Sequence, residues 1–188
     1  MNIEVDITSV KLETNRLILR VFDDFDLDDF YEYASVEGVG EMAGWKHHTS
    51  IEVSKMILDL FIREKKTFAI VYKENNKVIG SLGIEEYMEK ELPVLDDLRC
   101  REIGYVLSKE YWGKGIMVEA VKAVIEYCFE ELKLDAITVW HFINNNQSRR
   151  VIEKCGFEYV KEISYKNRMD EMVDTKMYVL YRKDYKHD

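Results

Sequence analysis

The sequence predicts an α/β protein in which helices flank a central mixed sheet. Three observations carry this. The apolar periodicities run strand, two helices, three strands, helix, strand, helix and two strands. The longest helical pattern, Gly115 to about Leu132, lies between two apolar strand patterns, which makes it a crossover joining parallel strands. At 47% hydrophobic and 34% charged, the 188 residues have the balance of a globular chain and suit one domain over 1–188.

Each element follows from its residues. "VKLETNRLILRVF" (10–22) alternates around Leu17, Leu19 and Val21 and reads as one strand. "DLDDFYEYASVE" (26–37) sets Leu27, Phe30, Tyr31 and Ala34 at helical spacing behind Asp26 as N-cap. In "SIEVSKMILDLFIREK" (50–65), Ser50 is the cap and Val53, Met56, Ile57, Leu60 and Phe61 form the apolar stripe. "TFAIVYKE" and "KVIGSLGIEEY" form a hairpin through Asn75 and Asn76, which tolerate left-handed backbone. The acidic run Glu85 to Asp97, with the only proline, Pro93, reads as a long exposed connection. "CREIGYVLS" (100–108) is a buried central strand that feeds into "YWGKGIM". The long helix buries Met117, Val121, Val124 and Cys128 and exposes Glu119, Lys122, Glu126 and Glu130. The strand "AITVWHF", the turn and short helix "NNNQSRRVIEKC", and the strands "FEYVKEISYK" and "MVDTKMYVLYRK" close the chain.

Composition excludes several functions. Cys100, Cys128 and Cys155 are odd in number and widely spaced, so they read as reduced core thiols, with neither a disulfide framework nor a metal site. The net charge of −9 argues against nucleic acid and suits a cationic substrate. No uncharged run approaches the roughly 18 residues of a membrane span. The start, "MNIEVDITSV", has no basic leader or apolar stretch, so a cytoplasmic location is expected.

Gly113 and Gly115 stand at the strand-to-helix junction. The first N–H groups of a helix have no intrahelical partner and, with the dipole, favour an anion. Glycines there let a phosphate reach the backbone. The same pair also suits a tight turn with no ligand. A dinucleotide fingerprint is excluded because Val118 replaces its third glycine, and the nucleoside-triphosphate loop because Gly-Lys-Ser/Thr is missing. A short loop able to hold a pyrophosphate remains.

Taken in order, "TNRLILR", "EIGYVLSKEYWGKGIMVEA" and "NNQSRRVIEKCGF" resemble the GNAT superfamily of N-acetyltransferases over nearly the whole chain. The branch is that of the bacterial ribosomal-protein N-terminal (alanine/serine) acetyltransferases. The resemblance implies a mostly antiparallel mixed sheet of about seven strands with one splayed parallel pair, flanked by about four helices. It also implies acetyl-CoA as cosubstrate, no metal, and direct attack by a primary amine in a ternary complex. The acceptor is a protein N-terminus or a small amine, and a homodimer through the closing strands is compatible with the family. The acetyl-CoA loop maps to Trp112, Gly113, Lys114, Gly115, Ile116 and Met117, with Trp112 replacing a polar residue and Met117 a small one, where it narrows the approach to the pyrophosphate.

By the same resemblance, pantetheine bonds the backbone at Tyr105, Val106 and Leu107, and Ser148 protonates the departing thiolate. A first-turn serine bonded to local backbone is the other reading of Ser148. Asn145 binds the cofactor or caps its helix. Glu102 is the base, directly or through water, or else an exposed strand-end carboxylate. Tyr31, Trp45, His47 and His48 fall where the family builds its acceptor pocket; core packing is the other reading of the two aromatics, and solvation that of the histidine pair. The rival function is a non-catalytic acyl-CoA sensor or interaction module, favoured if Trp112 and Met117 reshape the loop.

Overall fold

The computed structural model describes residues 1–167 and 169–186. Its eight strands form one sheet in the order β1-β2-β3-β4-β5-β6-β8-β7. The strands are β1 (Lys11–Glu13), β2 (Leu17–Val21), β3 (Thr67–Tyr72), β4 (Lys77–Glu85), β5 (Cys100–Leu107), β6 (Ala136–Phe142), β7 (Glu158–Lys166) and β8 (Met172–Tyr181). The helices are α1 (Leu27–Ala34), α2 (Ile51–Glu64), α3 (Ile116–Glu130) and α4 (Asn146–Lys154). All strand pairs are antiparallel except β5 with β6, which the α3 crossover joins.

The strand count exceeds the expected seven because 10–22 is a hairpin. The chain turns at Thr14, whose N–H donates to the Leu17 carbonyl (3.0 Å) and whose hydroxyl accepts from the Leu17 N–H (3.0 Å). With no Gly or Pro at the turn, the alternation carries through it unbroken.

The two faces of the sheet are filled differently. Along β5, Ile103, Tyr105 and Leu107 point to the face covered by α3, where Met117, Val121, Val124 and Cys128 complete the largest core cluster. On the other face Ala69, Val71 and Val78 pack with Phe30, Tyr33 and Leu58 of α1 and α2. Here α2 departs from the expected stripe: Ser54 and Leu58 are buried, whereas Met56 is 63% exposed. Ser54 is accepted inside because its hydroxyl meets Nδ1 of His48 at 2.6 Å.

Two other local expectations change. Asp26 does not cap α1 through its side chain; its carboxylate receives both Arg20 Nη groups at 2.8 Å and the Asp23 N–H at 2.8 Å. The 85–97 connection is not wholly exposed, since Tyr87, Leu92 and Leu95 are buried against Cys100, Ala136, Met177 and Val179. Charges spaced between these apolar residues hid them from a composition reading. All three cysteines are buried, and burial pushes the Cys100 thiol up to about 12. No helix of the described residues is long and apolar enough to cross a membrane.

Candidate active site

The site begins where the sheet comes apart. β5 pairs with β6 only from Cys100 to Glu102, opposite Ala136 to Thr138, while β5 stays paired with β4 as far as Leu107. A wedge therefore opens between Ile103–Leu107 and the rest of β6. The Ser108 N–H bonds the Ile79 carbonyl at 2.8 Å and the Ile84 N–H bonds Lys66 at 2.9 Å. By the alternation of an antiparallel ladder, residues 102, 104 and 106 then face β4, whereas 103, 105 and 107 turn their N–H and C=O into the wedge. Tyr105 and Leu107 thus present backbone there, and Val106 presents its own to Ser81. Trp112 Nε1 donates to the Leu107 carbonyl at 2.8 Å, an anchoring role for the residue that replaces the polar one.

The glycine loop lies beyond the end of β5. Gly113 and Gly115 both have φ near +74°, in the left-handed region that disfavours a side chain. Nothing lies within 4 Å of a Cβ built on Gly113, and only Arg16 Nη2, at 3.8 Å, approaches one on Gly115. The open side of the loop is therefore backbone, followed by the first N–H groups of α3. The Met117 side chain, expected to narrow this approach, is 6% exposed and sits in the core with Ile116. Arg16 fixes the loop: Nη1 donates to the Lys114 carbonyl (3.0 Å) and Nε to Glu119 (2.6 Å). Glu119 also accepts from Thr14 Oγ1 (2.5 Å) and the Arg16 N–H (2.8 Å). Its burial would raise its pKa, but these donors outweigh burial and lower it. Glu119, expected exposed, is the half-buried centre of this network.

Across the wedge, Asn145 caps α4 by accepting the Ser148 N–H at 3.0 Å, and its Nδ2 donates to the Met42 carbonyl at 3.1 Å. The Ser148 hydroxyl meets the Tyr105 hydroxyl at 2.9 Å, and the Tyr105 hydroxyl also donates to the Ser148 carbonyl at 3.3 Å. Burial pushes the Tyr105 hydroxyl well above its usual range, so it stays protonated. Sequence reasoning placed Tyr105 here by its backbone and missed this side-chain pairing.

Glu102 lies at the root of the wedge and is 8% exposed, not a solvent-facing strand end. Oε1 accepts from Trp140 Nε1 at 2.7 Å, and Oε2 lies 3.5 Å from Thr138 Oγ1. Burial pushes its carboxyl up to about 8, with a further push from Glu85, while the bond from Trp140 pulls the other way. Trp140, also missed, was marked only by standing two residues beyond Thr138, the register partner of Glu102.

The four acceptor-pocket candidates separate. Nδ1 of His47 meets Glu41 Oε1 at 2.8 Å, and the His47 N–H donates to the same oxygen at 3.1 Å. Burial of Glu41 is outweighed by these bonds and by that from the Gly38 N–H, so its carboxyl is held down at about 2. His48 is 6% exposed, edge-on to Phe30 with centroids 5.3 Å apart, and burial lowers its pKa. His48 is therefore not solvated, and His47, half-buried, is bonded to Glu41. The Trp45 ring fills the space a Cβ on Gly40 would need, 2.2 Å from Cε3, and packs with α1 and α2. Tyr31 is half-buried on α1. Among the described residues no group of three or more His, Cys, Asp and Glu is placed to hold a metal.

A wedge between parallel strands beside an open glycine loop, with a buried carboxyl at its root, is the arrangement to match against known proteins. The acetyltransferase (GNAT) domain matches residues 16–158. The chain belongs to the GNAT acetyltransferase family. It is similar to the uncharacterized N-acetyltransferase YoaA of Bacillus subtilis, 29% identical over 83% of this chain and 89% of that one. The fold matches an acetyltransferase of the GNAT family from Bacillus anthracis with a TM-score of 0.81 at 23% identity, over 93% of this chain and 99% of that one. It also matches the ribosomal-protein-S5-alanine acetyltransferase of Vibrio fischeri, with a TM-score of 0.69 at 21% identity over 95% and 100%. This GNAT protein is an N-acetyltransferase, and its family uses acetyl-CoA.

Proposed function

We propose that the protein, as one domain over 1–188, moves the acetyl group of acetyl-CoA to a primary amine by direct attack in a ternary complex. The observation that carries this reading is the wedge: its wall is unpaired strand backbone, its root is Glu102 and its far side is the Tyr105–Ser148 hydroxyl pair. The glycine loop fits a pyrophosphate, since left-handed φ and vacant Cβ positions leave N–H groups accessible. Acetyl-CoA, when bound, supplies an activated thioester. The Tyr105 and Leu107 backbone aligns it, and an N–H there stabilises charge developing on the carbonyl oxygen. Glu102 takes a proton from the acceptor's ammonium, directly or through one water, and frees the amine to attack. Ser148 donates a proton to the leaving sulfur and regains one from the nitrogen as the amide forms, with its hydroxyl held in place by Tyr105. The sensor reading drew on Trp112 and Met117, and both side chains pack away from the open face of the loop.

Thiol release from acetyl-CoA against a panel of primary amines tests the proposal; no turnover with any amine would end it. Ser148→Ala is expected to lower turnover by roughly 10- to 100-fold with little change in acetyl-CoA affinity. Tyr105→Phe should give a smaller loss that vanishes in the Ser148→Ala background. Near-normal turnover of a destabilised Ser148→Ala protein would make Ser148 a structural residue.

Met117→Ala is expected to cost about 2–5 kcal/mol of stability, as for other buried apolar truncations. Acetyl-CoA affinity of the folded protein should not change. Thermal melts and calorimetry check both, and tighter binding would place Met117 back at the loop's open face.

A further inference from the structure

We infer that Gly104 sets how bulky an acceptor amine the enzyme takes, by letting the carbon that carries the nitrogen lie directly on β5 beside Glu102. This rests on the acetyl transfer proposed above. Gly104 is unusual because the fold gives no reason for it. Its φ is not in the left-handed region, unlike those of Gly113 and Gly115. A Cβ built on it meets nothing within 4 Å. Glycine inside a strand is destabilising relative to alanine, so the fold itself would favour a side chain here.

The position is also exposed in a strand whose preceding residues are buried, and its face is the face of Glu102. Gly104 stands opposite Gly83, but the space over Gly83 is taken by the Glu85 carboxylate, 2.5 Å from where a Gly83 Cβ would stand, so the open ground on this row is at Gly104. The same carboxylate is held there by Lys66, whose Nζ lies 2.8 Å from it. The class of acceptor that fits is a primary amine on an unbranched or methyl-bearing carbon. Its ammonium gives a proton to Glu102, the freed nitrogen attacks into the wedge, and the substituent rests on Gly104.

Glycinamide, alaninamide and valinamide, amines that differ only at that carbon, test this as acceptors of wild type and Gly104→Ala. In wild type, kcat/KM should fall by roughly 10-fold or more at valinamide, the scale of one or two misplaced methyl groups. In Gly104→Ala the fall should move to alaninamide, with glycinamide affected least. The melting temperature should hold or rise and acetyl-CoA affinity should stay unchanged. Equal turnover of all three by wild type, equal losses of all three in the variant, or weakened acetyl-CoA binding would each overturn the inference and leave acetyl transfer standing. Wild type that acetylates no primary amine would overturn both.

Discussion

Glu102→Gln is expected to lower turnover by roughly 10³-fold, within the range that a positioned base contributes. The glutamine oxygen still accepts from Trp140 Nε1, so the fold and acetyl-CoA affinity should persist. The pH dependence is the sharper signature. With its carboxyl pushed up to about 8 by burial, Glu102 is mostly protonated at neutral pH and becomes a base as pH rises through that value. Wild-type turnover should therefore climb to a plateau above about pH 8, and Glu102→Gln should lose that limb for acceptors of different basicity. Stability runs the other way. The unfolded chain releases this proton near 4.5 and the folded protein keeps it to about 8, so rising pH between those values favours the unfolded state. Glu102→Gln should flatten that decline in melts. A variant with wild-type turnover and pH profile would remove Glu102 from the chemistry.

Gly115→Glu is expected to abolish acetyl-CoA binding, a loss of at least about 10³-fold, because it puts bulk and negative charge where the helix start favours an anion. The left-handed φ at Gly115 adds backbone strain of about 1–2 kcal/mol for any side chain. Gly115→Ala therefore serves as the uncharged control with the same strain. Calorimetry on both folded variants should give a modest weakening for alanine and no detectable binding for glutamate. Unchanged affinity in Gly115→Glu would displace the cofactor from this loop.

Much of the fold was legible because its signals are local. The α3 stripe, the Asn75–Asn76 hairpin with Asn76 at φ 58°, and the parallel pair across α3 follow from spacing and crossover rules. The missed features are those in which distant residues decide the outcome. Nothing near Glu102 announces its burial; that depends on Trp140, 38 residues on. The Tyr105–Ser148 pairing spans 43 residues and needs the wedge to bring strand and helix together. Serine at 54 reads as a polar break in a helix until His48 supplies its partner. The two pocket histidines likewise owe their settings to Glu41 and Ser54, six residues away in each case.

Arg16 gives the glycine loop a long-distance dependence. Its bonds to Lys114 and Glu119 bridge 98 and 103 residues, and they start from the turn of the first hairpin. Contacts of such separation carry a larger loop-closure cost than the local contacts of a helix such as α3. The loop's shape is thus tied to a segment far away in the sequence. A lesion in the first twenty residues would be felt at the glycine loop, about a hundred residues from its cause.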